Sequence, residues 1–182
     1  MKLRPLIYTA LFAALTAVGA FLQIPVKPVA ITLQFLFTAM AAVLLGRRYG
    51  ALSQLVYVAL GLVGLPIFTN GGGLGYVFQP SFGFLVGLIP CAWVIGYLSR
   101  KRDGAAWVAV SCCAGLAVLY LIGVPYMALI LNVYLGKGLD LKAILMAGMV
   151  PFLPGDALKI AVAAAVCPVL RQRLCSFDEF RR

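Results

Sequence analysis

The stretch that decides the fold covers residues 105–131 and reads AAWVAVSCCAGLAVLYLIGVPYMALIL, without one charged residue. An α-helix rises about 1.5 Å per residue, so about 20 apolar residues cross a hydrocarbon core some 30 Å thick. This stretch is longer than that requirement. It therefore predicts a transmembrane helix.

The rest of the chain repeats this pattern. The composition is 64% hydrophobic and 11% charged over 182 residues, and the mean hydropathy is +1.05. Such a chain is too apolar for an ordinary water-soluble domain. Apolar segments are predicted over residues 6–24, 29–45, 51–68, 82–98, 105–131 and 143–170. We expect an all-α integral membrane protein, a six-transmembrane-helix bundle forming one domain over residues 1–182.

The net charge of +10 follows the membrane topology. Short cytoplasmic loops accumulate Lys and Arg. Most of the basic residues fall on one side of the predicted segments: Lys2, Arg4, Arg47, Arg48, Arg100, Lys101, Arg102, Arg171, Arg173, Arg181 and Arg182. Only Lys27, Lys137 and Lys142 fall on the other side. This asymmetry predicts that both termini are cytoplasmic and argues against nucleic acid as the partner.

The residue inventory gives no support for catalysis or metal binding. The chain has no histidine to activate a serine or to complete a metal site. Its five cysteines form no Cys-x-x-Cys pair and are interpreted as small packing residues. We therefore expect neither an enzyme nor a metal or covalently bound cofactor.

The external connections are longer and richer in Pro and Gly than the cytoplasmic ones, which places the expected functional site toward the outer side. One of them contains Thr69-Asn70-Gly71-Gly72-Gly73-Leu74-Gly75-Tyr76. Its glycines allow backbone amides to approach a ligand closely. A flexible turn is the alternative. Asn70, Tyr76 and Gln79, which add amide groups and an aromatic face, favour a binding loop.

The second candidate stretch is Pro151-Phe152-Leu153-Pro154-Gly155-Asp156-Ala157-Leu158-Lys159. Proline suits the first turn of a helix and an acidic residue there is favoured by the macrodipole, so the last segment divides. A short external helix precedes the division and the crossing follows it. Asp156 and Lys159 then share one helix face at the outer end. They either neutralise each other, with Lys159 reaching water, or bind a polar ligand group.

Small residues form a stripe on the first predicted helix. Ala10 and Ala14, and likewise Ala13 and Ala17, have the small-xxx-small spacing that lets membrane helices approach closely. The stripe predicts either packing inside the bundle or docking of a separate membrane subunit.

Four motifs in order resemble the BioY family over nearly the whole chain. They are Pro25-x-x-Pro28-x-x-Ile31-Thr32-Leu33-Gln34; Gly61-x-x-Gly64-Leu65-Pro66-x-Phe68; Gly71-Gly72-Gly73-Leu74-Gly75-Tyr76 with Pro80-x-Phe82-Gly83-Phe84; and Pro154-Gly155-Asp156-x-x-Lys159. That family comprises the biotin-specific substrate-binding (S) components of energy-coupling-factor (ECF) vitamin transporters in prokaryotes.

The resemblance implies a bundle in the cell membrane that binds biotin from outside, in a pocket closed by the first and third external loops. Asp156 and Lys159 would meet the ureido ring, and Asn70, Gly73 and Gly75 would help to form the pocket. Gln34, Tyr76 and Gln79 are further candidates. Ala10 and Ala14 would face a coupling membrane protein, and two ATP-binding cassette ATPases would use ATP. An S component for another vitamin and a small membrane enzyme acting on lipid are the alternatives.

Overall fold

The computed structural model describes residues 3–25 and 27–173, and these residues are mostly helical. The helices and strands are, in chain order, α1 (Leu3–Phe21), β1 (Gln23–Ile24), β2 (Ile31–Thr32), α2 (Gln34–Val63), α3 (Phe82–Leu98), α4 (Ala105–Leu129), α5 (Leu141–Gly148) and α6 (Leu153–Arg173). Short 3-10 helices cover Leu74–Phe78 and Val150–Phe152, and a π-helical turn over Ile130–Tyr134 extends α4.

Among the described residues, four helical stretches are long and apolar enough to cross a membrane: Leu3–Phe21, Gln34–Val63, Ala105–Tyr134 and Leu141–Gln172. The apolar helix Phe82–Leu98 is shorter. The prediction of a mostly helical chain with several candidate membrane spans is thereby confirmed, and the number of crossings stays a prediction.

The helix α2 is a hairpin of two halves. Gly46 has φ 77° and ψ −178° and so breaks the helical path. Beyond it the second half runs back along the first. Two contacts between the halves show this arrangement: the Gln54 side-chain amide lies 3.0 Å from the Thr38 hydroxyl, and a Cβ on Gly50 would meet the Ala42 backbone at 2.7 Å. The predicted segments 29–45 and 51–68 leave a connection over residues 46–50. In the structure the chain turns at Gly46 alone, and the helix resumes at the next residue.

Three predicted segment ends are wrong by several residues. The first segment stops at Phe21 because Gln23–Ile24 pairs as a strand with Ile31–Thr32. That hairpin also delays the next helix to Gln34. The third segment stops at Val63, where Gly64 adopts φ 118° and ends the helix.

The last segment divides as predicted. The helix α5 ends at Gly148, a 3-10 turn contains Pro151, and α6 begins at Leu153. Asp140 caps α5, with its carboxylate accepting a hydrogen bond from the Ala143 amide at 3.0 Å. Because α6 packs against both α2 and α4, Asp156 in its first turn reaches the inside of the bundle.

One close approach sets the position of α3 against the α2 hairpin. A Cβ on Gly96 would lie 2.4 Å from the Arg47 amide nitrogen and 2.6 Å from the Gly46 carbonyl carbon. Both are backbone atoms, which cannot rotate away. Glycine is therefore required at this position for the two elements to touch.

We predict that Gly96→Ala lowers the free energy of unfolding by about 2 kcal/mol, since the helices must separate to admit the methyl group. The thermal midpoint of the purified protein in detergent measures this. Gly75→Ala is the matched control, because a Cβ on Gly75 meets nothing within 4 Å. Equal midpoints for the two variants would contradict the packing argument.

Candidate functional site

A cavity opens between residues 28–32, the Gly-rich loop and the helices α3, α4 and α6. Its empty volume is about 700 Å³, a figure that includes open solvent at its mouth. Five of the predicted site residues line it: Gln34, Asn70, Tyr76, Asp156 and Lys159. Phe152, from the 3-10 turn before α6, lines it as well.

The polar centre of the cavity is a cluster of three side chains. The Lys159 ammonium donates to Asp156 Oδ1 at 2.8 Å, and the Tyr120 hydroxyl donates to Asp156 Oδ2 at 2.5 Å. Asp156 is 4% exposed and Lys159 is 7% exposed. The ion pair therefore forms as one alternative predicted, but Lys159 does not reach water.

This cluster retains hydrogen-bonding capacity toward the cavity. An ammonium has three N–H donors and a carboxylate has about four acceptor sites. Asp156 takes one of the Lys159 donors, while Tyr120 and Lys159 each occupy one carboxylate site. Burial makes any remaining bond stronger than it would be in water. The cluster can therefore both accept from and donate to a polar ligand group.

A second polar wall is built around Gln34. Its side-chain oxygen accepts from the Thr32 hydroxyl at 2.8 Å, and its amide nitrogen donates to the Tyr57 hydroxyl at 2.7 Å. The Tyr57 hydroxyl in turn donates to the Ile67 carbonyl at 3.1 Å. These bonds fix the Gln34 amide on the β2–α2 side of the cavity and link it to the base of the Gly-rich loop.

The Gly-rich loop is anchored to α2 by a backbone hydrogen bond and by ring packing. Its Gly73 amide donates to the Gly61 carbonyl at 2.7 Å, and Phe68 is fully buried over Gly61. The Phe68 ring packs on Tyr76 with centroids 4.7 Å apart. Tyr76 is thereby held at the cavity wall, where its hydroxyl accepts from Ser81 at 3.2 Å.

Three predicted site residues lie outside the cavity lining. Gly73 has φ 95°, which favours glycine and shapes the loop. Gly75 and Gln79 are exposed on the outer surface of the loop. These side chains and backbone atoms do not border the cavity in this conformation.

Sequence reasoning missed Tyr120 and most of the apolar wall. Phe84, Leu85, Leu88 and Leu119 line the cavity, and the Tyr120 ring meets Phe84 edge-on. The available signal was that Tyr120 is one of few polar groups inside the uncharged stretch over residues 105–131. Such a group needs a partner in a membrane.

The small-residue stripe on α1 divides into two faces. Ala13 and Gly19 are buried in the bundle, as the packing alternative predicts. Ala10 and Ala14 are exposed, and so is Ile7, one turn before Ala10. The structure therefore leaves Ala10 and Ala14 on an outward apolar face.

Among the residues that the structure describes, the cysteines and metal-ligating residues form no further site. Cys91, Cys112 and Cys167 are buried and Cys113 is exposed, while Cys175 lies outside the described residues. In residues 3–25 and 27–173, no group of three His, Cys, Asp or Glu side chains could hold a metal ion.

The chain is similar to known proteins over almost its full length. The BioY family model matches residues 1–176. A probable biotin transporter BioY of Lysinibacillus sphaericus is 44% identical over 88% of this chain and 83% of its own. The biotin transporter BioY of Thermotoga maritima is 40% identical over 93% and 97%. The crystal structure of an S-component for biotin from an ECF-type ABC transporter superimposes with a TM-score of 0.74 at 28% identity, covering 100% of this chain and 97% of that one.

Proposed function

We propose, since this chain belongs to the BioY family, that it is the biotin-binding S component of an ECF-type ABC transporter and takes part in biotin uptake. The observation that carries the proposal is the buried Asp156–Lys159 pair at the wall of the cavity. A charged pair inside a membrane protein is costly and marks a functional site.

The cluster matches the chemistry of biotin's ureido ring, which has N–H donors beside a carbonyl acceptor. The Asp156 carboxylate accepts from the ureido N–H groups, and the Lys159 ammonium donates to the carbonyl oxygen. Bonds to charged groups are the stronger class. Asp156 and Lys159 are therefore the residues that we assign to ureido recognition.

The remaining walls suit the rest of the molecule. Phe84, Leu88 and Leu119 offer apolar surface to the sulfur-containing ring and its hydrocarbon tail. Gln34, Asn70 and Tyr76 add polar groups to the lining. Gly73, Gly75 and Gln79 act through the shape of the loop, which places Asn70 and Tyr76.

The proposed topology has six crossings in one transmembrane domain, with both termini in the cytoplasm of a prokaryotic cell. The two halves of α2 count as two crossings, because they run antiparallel on either side of Gly46. With α1, α3, α4 and α6 they make six. Arg47, Arg100 and Arg171 then lie at the cytoplasmic end, whereas Lys2, Arg181 and Arg182 lie outside the described residues.

The proposed partners follow from the S-component role. A transmembrane coupling protein and two ABC ATPases supply the energy from ATP, and this chain itself catalyses no reaction. The exposed face of α1 with Ala10 and Ala14 is the proposed contact for the coupling protein. Close approach of two membrane helices requires such small residues.

We predict that Tyr120→Phe weakens biotin binding about tenfold, because a hydrogen bond to a charged group contributes about 1.5–3 kcal/mol. The variant retains the ring on Phe84 and removes only the hydroxyl that orients Asp156. Tyr126→Phe is the matched control, since that hydroxyl donates to the Val77 carbonyl and neither residue lines the cavity. Titration calorimetry measures both variants, and equal affinities would contradict a positioning role for Tyr120.

Competition tests the ligand assignment. Labelled biotin bound to the purified protein should be displaced by unlabelled biotin and not by riboflavin, thiamine or folate. Displacement by another vitamin in preference to biotin would assign the chain to that vitamin. Turnover of a lipid by the purified protein would instead indicate a membrane enzyme.

A further inference from the structure

Four side chains form an aromatic–basic patch at the end of the bundle opposite the cavity mouth: Arg47, Trp93, Tyr97 and Lys101. The rings of Trp93 and Tyr97 stack with centroids 5.6 Å apart and planes within 7°. The Arg47 guanidinium lies 5.8 Å from the Trp93 centroid and 5.7 Å from the Tyr97 centroid. The Lys101 ammonium lies 4.8 Å from the Tyr97 centroid.

Two cations thus converge on one ring with no acidic partner among residues 3–25 and 27–173. The salt bridges of those residues involve Lys159 and Arg171 and neither member of this pair. Like charges held near the same ring repel each other, and a nearby anion relieves that repulsion. The patch therefore has charge complementarity for an anion.

The neighbouring surface indicates that the aromatic–basic patch lies at the depth of the lipid headgroups. Trp93 is 45% exposed and Tyr97 is 41% exposed, at the end of an apolar helix, and such rings concentrate at the membrane–water interface. Val86, two turns earlier on the same helix face as Trp93, is also exposed. An anion with an apolar tail could lie along this face, with the anion at Arg47 and Lys101 and the tail toward Val86.

We propose that the aromatic–basic patch binds the phosphodiester group of an anionic phospholipid. A lipid fits better than inorganic phosphate, because the stacked rings and Val86 provide apolar surface for an acyl chain. Basic groups at this depth attract anionic lipids, and cation–π contacts preorganise these two side chains. The site is separate from the cavity and does not depend on the ligand bound there.

The two tryptophans of the chain allow a direct test. In a Trp107→Phe background, Trp93 is the only tryptophan, and brominated acyl chains quench its fluorescence on contact. The protein is placed in phosphatidylcholine vesicles containing increasing fractions of brominated phosphatidylglycerol or brominated phosphatidylcholine. We expect the relative association constant for the anionic lipid to be about tenfold higher.

The decisive variant is Arg47→Gln/Lys101→Gln, which should quench equally with either lipid. Arg4→Gln/Arg48→Gln removes the same charge from residues outside the patch and should retain the preference. Equal quenching in the parent protein, or loss of the preference in the control pair as well, would overturn the proposal. The single variant Lys101→Gln, at an exposed position, serves if the double variant fails to fold, and an unchanged preference there would also count against the site.

Discussion

Asp156→Asn is expected to weaken biotin binding by at least a factor of about 100. This effect is larger than the one expected for Tyr120→Phe, the other variant that changes a single side-chain atom. The substitution conserves volume but removes the carboxylate that the Tyr120 hydroxyl and the Lys159 ammonium both contact. It also leaves the Lys159 charge buried without its partner, which costs several kcal/mol in other proteins. Titration calorimetry on the purified protein measures the loss.

Asp140→Asn is the matched control, since it makes the same chemical change at the exposed N-cap of α5. We expect its biotin affinity to stay within about twofold of the parent, because weakening one cap affects a distant helix. Gel filtration of both variants separates loss of binding from loss of fold. A folded Asp156→Asn protein with unchanged affinity would remove Asp156 from the site.

Lys159→Met should have an effect of similar size. Methionine retains the length of the apolar stem, while the ammonium that donates to Asp156 and to the ligand is lost. The remaining carboxylate is then held only by Tyr120. We expect an affinity loss of at least about 100-fold by calorimetry.

The double variant Asp156→Asn/Lys159→Met gives a sharper result than either single change. Because the two side chains act as a unit, the combined loss should be clearly smaller than the sum of the two in free energy. Lys142→Met, at an exposed position on α5, is the charge-matched control and should bind normally. Strictly additive losses would show that the two residues act independently.

The charged pair could be predicted from sequence because its signal is local. Asp156 and Lys159 are the charged residues of an otherwise apolar segment, and Pro154 before them starts a helix. Spacing alone then put both side chains on one face. The structure adds that this face is turned inward, which local spacing cannot decide.

Tyr120 could not be assigned in the same way. It is separated from Asp156 by 36 residues, and only the packing of α6 against α4 brings the two together. A tyrosine in a membrane helix is common in itself. Its role depends on a non-local contact, for which the chain carries no periodic signal.

The turn at Gly46 and the stripe on α1 are two further features that local sequence does not determine. The run Gly46-Arg47-Arg48-Tyr49-Gly50 has loop composition, yet only Gly46 leaves the helical path, and Gly50 lies in the second half packed against Ala42. On α1, identical spacing joins Ala10 to Ala14 and Ala13 to Ala17. Only the neighbouring helices determine that Ala13 is buried and Ala10 is exposed.

Biotin binding in the cavity that Asp156 and Lys159 line can be measured by calorimetric titration of biotin into the purified protein in lipid nanodiscs. We expect saturable binding of one biotin per chain, tight enough to give a sharp transition at micromolar protein, and no such transition for folded Asp156→Asn. Absence of heat with the folded parent protein, or an identical isotherm for the variant, would contradict this expectation.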